Sequence, residues 1–161
     1  WIDFKALERD DVDENFGFSR YAERMGRSAN SFDELYGMLQ NEPTYIDKIL
    51  LENLNEKMSD LQPELVCFSV PYPKNLYSAF RSKKKKKKHF PKSKIAMGGG
   101  FPNTELRSLA DIRVMEFFDF ITLDDGEVPL EELISNVQNP NYGQFKRTFL
   151  LENGKIVYKN K

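Results

Sequence analysis

Apolar positions along the chain follow two regimes. Through residue 62 they recur at helical spacing; from Glu64 they gather into short continuous runs separated by helix-length stretches. The first regime, residues 1–62, carries no strand pattern and reads as helices joined by polar turns. Ser31 through Glu34 has the reciprocal capping spacing, and Leu35, Met38 and Leu39 follow on one face. After Pro43, the positions Ile46, Ile49, Leu50, Leu54, Met58 and Leu61 mark one side of a longer helix. Thr44 and Asp47 suit its first turn, and Pro63 stops it. Lys48, Glu52, Asn55, Glu56 and Asp60 lie opposite, so the spacing predicts an amphipathic helix packed on a partner.

The second regime has the signature of βα units. Strands are predicted at Leu65–Val70, Lys94–Met97 and Asp119–Leu123, each continuous rather than alternating, as strands covered on both faces should be. Leu130, Leu133, Ile134 and Val137 then keep helical spacing, with Pro129 suited to the first helical position and Asn139 to Asn141 ending the helix. Residues Phe145 to Tyr158 read as a hairpin about a type I′ turn at Asn153-Gly154, with Glu152 opposite Lys155, Leu151 opposite Ile156 and Phe149 opposite Tyr158. The expected class is α/β: a flavodoxin-like (Rossmann-like) parallel sheet with flanking helices. It divides into a helical N-terminal region (1–62), βα units (63–140) and a C-terminal β-hairpin (141–161) that links to a following domain.

One segment breaks the pattern. Leu76, Tyr77 and Phe80 begin an apolar face whose continuation falls within Lys83 to Lys88, six consecutive lysines, before Phe90 resumes it. A central helix does not bury unpaired ammonium groups. Three readings stay open: stems along the sheet with heads in water, a shorter and more exposed helix, or a run unsuited to the sheet. A solvated charge run is the ordinary explanation, and a basic patch for phosphate or nucleic acid the less ordinary one.

Composition narrows the chemistry. The chain has 161 residues, a formal net charge of -1, one cysteine and one histidine. That length supports one domain with a core. A lone Cys67 excludes internal disulfides and any cysteine-ligated iron–sulfur cluster built by this chain alone, and a lone His89 excludes a multi-histidine metal site. Near-neutral charge argues against a general nucleic-acid surface. No apolar run reaches bilayer length and the first residues lack signal-peptide character, so no membrane association and a cytoplasmic setting are expected. A start at Trp1 is the expectation for a piece of a longer protein.

In open parallel sheets ligands bind beyond the carboxyl ends of the strands. The residues there are Ser69-Val70-Pro71, Gly98-Gly99-Gly100-Phe101 and Asp124-Asp125-Gly126-Glu127. Glycine admits close approach of a flat ligand, or simply a tight strand-to-helix turn. Glu127 at a helix start also has the bland role of accepting from free backbone N–H groups. No P-loop is present, the glycine run lacks the third-glycine spacing of a dinucleotide fingerprint, and a receiver domain would want an acid where Ser69 stands.

Ser69-Val70-Pro71 followed by Gly98-Gly99 resembles the S-x-L and G-G pair of cobalamin-binding domains. Here 26 residues separate Pro71 from Gly98, the interval such domains use, and Pro71 replaces the leucine. With Phe120 to Leu130, whose strand ends in an acidic Gly-Glu turn, the stretch from Glu64 to Val137 is similar to the cobalamin-binding region of B12-dependent radical SAM proteins. The terminal hairpin resembles the link such proteins place before their barrel.

The resemblance implies cobalamin over the strand ends. Ser69 would face the lower-ligand region, Gly98 and Gly99 would pack the dimethylbenzimidazole tail, and the Leu123 to Glu127 turn would close the pocket. It also implies a downstream radical SAM domain of the same polypeptide carrying the 4Fe-4S cluster and S-adenosylmethionine, so this stretch alone is not a catalyst. The parent would be a radical SAM oxidoreductase or methyltransferase. Two departures stand out. The place of the histidine motif D-x-H-x-x-G, Arg20 to Arg27, has no histidine, and C-x3-C-x2-C is absent. His89 ends a crossover helix far from the ligand edge, and Cys67 is expected to be a small core residue. The alternative is a non-catalytic interaction module that keeps the sheet and has lost the ligand. Such a module is favoured by a count of three predicted parallel strands, where an intact cobalamin domain has about five.

Overall fold

The computed structural model describes residues 32–89, 92–138 and 144–160, with the backbone alone over 83–89. Readings that fall elsewhere lie outside the described residues: the helices before residue 32, the Ser31 cap, the Arg20 to Arg27 segment, the helix stop at Asn139 to Asn141, and the side chains of Lys83 to Lys88 and His89.

Helix α1 (Phe32–Gln40) buries Leu35 and Leu39, as its spacing predicts. Helix α2 (Tyr45–Leu61) opens on a capping box made by Thr44 and Asp47, the two residues expected in its first turn. Asp47 N donates to Thr44 Oγ1 at 3.2 Å, and Thr44 N donates to Asp47 Oδ2 at 3.0 Å. The helix closes on left-handed Gln62, whose N–H donates to Met58 O at 2.9 Å.

The buried stripe of α2 is Asp47, Leu51 and Met58, whereas Leu61, expected on that side, is 75% exposed. Leu61 is the last residue of the helix, whereas an inward-facing carboxylate takes a place in the buried stripe. Asp47 meets Tyr77 and Arg81 of α3 (Leu76–His89). Tyr77 Oη donates to Asp47 Oδ2 at 2.8 Å, and Arg81 Nε lies 3.3 Å from the same oxygen. The Arg81 guanidinium also donates to the Met38, Leu39 and Asn41 carbonyls at 2.9–3.1 Å, capping the end of α1. Full pairing is what makes these buried charges tolerable. The helical backbone of α3 runs through the lysine segment to His89.

Strands β1 (Leu65–Ser69), β2 (Lys94–Gly98) and β3 (Phe120–Thr122) are parallel, and β4 (Thr148–Glu152) and β5 (Lys155–Lys159) are antiparallel, in spatial order β1-β2-β3-β4-β5. The hairpin therefore extends the sheet instead of hanging from it. β4 pairs β3 through Phe120↔Leu150, Ile121↔Phe149 and Thr122↔Thr148. Phe149 enters the core on one face and Leu150 on the other, so β4 is buried on both sides. All three hairpin pairs fall in the predicted register, and Asn153 and Gly154 both have positive φ, as a type I′ turn requires. The Phe149 and Tyr158 rings stand 4.7 Å apart.

Strand alternation sends Phe68, Ile95, Met97, Ile121 and Phe149 to one face, under α1, α3 and the short helix α4 (Gly100–Glu105). Phe80 lies at the centre of that core, its ring 4.8 Å from Phe118 and 4.9 Å from Phe117. Ala96, Phe120 and Leu150 go to the other face, with Phe145 and Leu133 of α5 (Glu127–Asn136). Within α5, Pro129 is the third residue rather than the first. Pro129 and Leu133 are buried, and Leu130 and Ile134 are 40% and 60% exposed. β1 also departs from the expected double burial. It is an edge strand, and Cys67 is exposed.

Candidate functional site

Beyond the carboxyl ends of the parallel strands, between the sheet and α5, lies a groove of about 620 Å³. Its floor is made of small residues on alternating strand positions: Cys67 and Ser69 from β1, Ala96 and Gly98 from β2, and Thr122 from β3. Leu130 and Leu133 of α5 form an apolar wall, and Asp124 through Glu127 form the lip. A second cavity of about 310 Å³, on the opposite face, is lined mainly by apolar side chains including Leu35, Leu76, Phe80 and Phe101.

The floor is set by backbone approach. Ser69 and Gly98 are direct partners in the β1–β2 ladder. A methyl group at Gly98 would stand 2.5 Å from Thr122 Oγ1, so Ser69, Gly98 and Thr122 form a row across three strands with no side chain in the middle. Gly99 has φ 106°, and a Cβ there would lie 2.9 Å from Val70 N. The neighbouring segments are locked by two bonds, Val70 N donating to Gly98 O at 2.8 Å and Phe101 N donating to Val70 O at 3.0 Å. Gly99 thus serves the packing of strand β1 against α4 as well as the openness of the groove.

The lip is latched to α4. Asp124, at φ 60°, donates its N–H to Asn103 Oδ1 at 3.1 Å, and Arg107 pairs with the Asp124 carboxylate and bonds Asn103 Oδ1. Arg147 Nη1 lies 3.9 Å from Asp125 Oδ2. The Asp125 side chain is 94% exposed, and Gly126 and Glu127 are exposed beside it.

The eleven positions singled out at strand ends divide. Ser69, Gly98, Gly99, Asp124, Asp125, Gly126 and Glu127 line the groove. Val70 is buried on the opposite face and Phe101 joins the core there. Pro71 is exposed, and Gly100 begins α4 with the Pro71 carbonyl 3.0 Å from where its Cβ would be. Sequence reasoning passed over Thr122, Leu130 and Cys67 as lining residues. The period-2 alternation holds the signal for Cys67 and Thr122, because both share the face of Ser69 and Gly98. Partial burial pushes the Cys67 thiol above its ordinary pKa, so it is neutral at pH 7.

Chemically the groove offers a thiol, two hydroxyls, three carboxylates and an apolar wall. Among the described residues no group of three or more His, Cys, Asp or Glu side chains converges on a point where a metal ion could sit, and no helix is long and apolar enough to cross a membrane. No protein-family model matches the chain, and no curated protein matches it.

Proposed function

We propose that this groove is a cobalamin cradle. The observation that carries the reading is the pairing of Ser69 with Gly98 across β1 and β2, beside Thr122, at the carboxyl ends of parallel strands. The residues fit the group. A floor of Cys67, Ser69, Ala96 and Gly98 under Leu130 and Leu133 accepts a flat, largely apolar ring such as the dimethylbenzimidazole tail. The corrin itself, too large for the groove, would lie over the strand ends. There Ser69 would hydrogen-bond and the lip carboxylates would accept from the peripheral carboxamides. Bound cobalamin would supply organometallic methyl or electron transfer; these residues only bind and orient it.

In this reading the chain is the cofactor-binding part of a polypeptide whose radical SAM domain, with its 4Fe-4S cluster and S-adenosylmethionine, follows. Its place is the cytoplasm. Two experiments test the two halves. Gel filtration after mixing with hydroxocobalamin should bring corrinoid absorbance through with the protein; corrinoid eluting apart from folded protein would refute the cradle. The gene beyond Lys161 should encode C-x3-C-x2-C within a domain's length, and its absence would refute the radical SAM partner while leaving the cradle standing.

A further inference from the structure

At the strand ends of flavodoxin-like sheets, the usual way to hold a phosphate is an array of free backbone N–H groups at a loop and helix start, supported by the helix dipole. Here much of that array is missing at both helices beside the groove. In α5 the Glu127 N–H donates to the Asp125 carbonyl, and the third residue, Pro129, has no N–H. In α4 the Phe101 N–H donates to Val70 O, and the third residue is again a proline, Pro102. The groove lining adds Asp124, Asp125 and Glu127 and contains no lysine, arginine or histidine among the described residues. The guanidiniums of Arg107 and Arg147 are engaged by the lip carboxylates Asp124 and Asp125.

We infer that the groove admits a ligand whose groups at the lip donate hydrogen bonds, such as carboxamides, and rejects phosphomonoester dianions such as that of a flavin mononucleotide. The inference rests on the groove proposed above as the ligand site and adds the charge class it admits. Carboxylate oxygens at the lip have lone pairs to give and no protons, so a donor-rich periphery satisfies them. A phosphate dianion would meet Glu127 beside two carboxylates already paired with Arg107 and Arg147, with few free N–H groups to hold it. The apolar wall of Leu130 and Leu133 then supplies contact for a flat ring without asking for charge.

Cys67, the one cysteine of the chain, stands in the groove floor and reports its field directly. The full chain is treated at low ionic strength with matched cationic and anionic methanethiosulfonate reagents, and each rate is divided by that of a small neutral thiol compound. The cationic reagent should be favoured by about threefold, falling toward one in molar salt. Asp125→Asn with Glu127→Gln, both at exposed positions, should abolish the preference with the circular dichroism unchanged. A ratio of one or below at low salt, or a ratio the double variant leaves untouched, overturns the inference. Adding hydroxocobalamin separates it from the cofactor reading: failure to protect Cys67 counts against cobalamin alone, since the charge preference is measured without it.

Discussion

Ser69 and Gly98 sit opposite each other in the β1–β2 ladder, 29 positions apart in the chain and joined through a lysine-rich crossover. Their adjacency turns a sequence interval into a surface. The side chain absent from Gly98 is what keeps the row to Thr122 open, so the groove depends on a backbone approach that any larger residue would disturb.

Gly98→Ala should therefore destabilise the protein by about 1–3 kcal/mol, the usual effect of forcing a methyl group into packed surroundings. Adding Thr122→Ala, which removes the oxygen 2.5 Å from that methyl, should recover part of the loss, so the double variant is more stable than the two single effects predict. Urea denaturation of the four proteins measures this. An additive result would mean that Thr122 is not what Gly98 accommodates.

The Asp47, Tyr77 and Arg81 cluster holds α1, α2 and α3 together. Asp47→Ala leaves a buried guanidinium without its counter-charge and should cost about 3–5 kcal/mol, while Tyr77→Phe should cost about 1–3 kcal/mol. Replacing Asp47 and Arg81 together by apolar residues should cost less than the sum of the two single replacements. Equal effects at all three positions in denaturation would contradict a paired charge.

Burial, with the Asp47 hydrogen bond and charge adding to it, raises the Tyr77 pKa well above the ordinary phenol value. The sign follows from linkage. Below about pH 10 both states hold the proton and the contribution is constant. Above it the unfolded phenol ionises while the folded one does not, so stability falls as pH rises, by up to about 1.4 kcal/mol per pH unit. Chemical denaturation from pH 9 to 11 should show this slope reduced in Tyr77→Phe. Identical slopes in the two proteins would exclude the phenol as its source.

Native protein should be alkylated once by iodoacetamide, at Cys67, without denaturant, because the thiol is exposed in the groove. Its raised pKa makes the reaction slower at pH 8 than that of a free thiol and shifts the rate profile to higher pH. Intact mass against time gives both. Modification only after unfolding would return Cys67 to the core.

Much of the architecture was legible in the apolar pattern. The three parallel strands, the capping box at Thr44 and the whole hairpin register follow from local spacing and turn chemistry. What escaped depends on partners distant in sequence. Asp47 looks like a cap and is one, yet it also turns inward to meet Arg81 and joins the buried stripe of α2. Cys67 reads as core because its strand is apolar, but its position at the sheet edge exposes it. That the hairpin joins the sheet escaped because nothing local says that Phe149 and Leu150 will be covered on both faces. For the site, the glycines were visible and their reason was not. Thr122 and Val70, the groups that would collide with a Cβ, come from other strand ends.

Equilibrium dialysis against hydroxocobalamin, read by visible absorbance for the unaltered chain and for Gly98→Val, tests the cradle most directly. Saturable binding of one corrinoid per chain is expected, lost in Gly98→Val while the circular dichroism of the variant still shows the fold. No corrinoid retained by the folded, unaltered chain, or equal retention by both proteins, would contradict it.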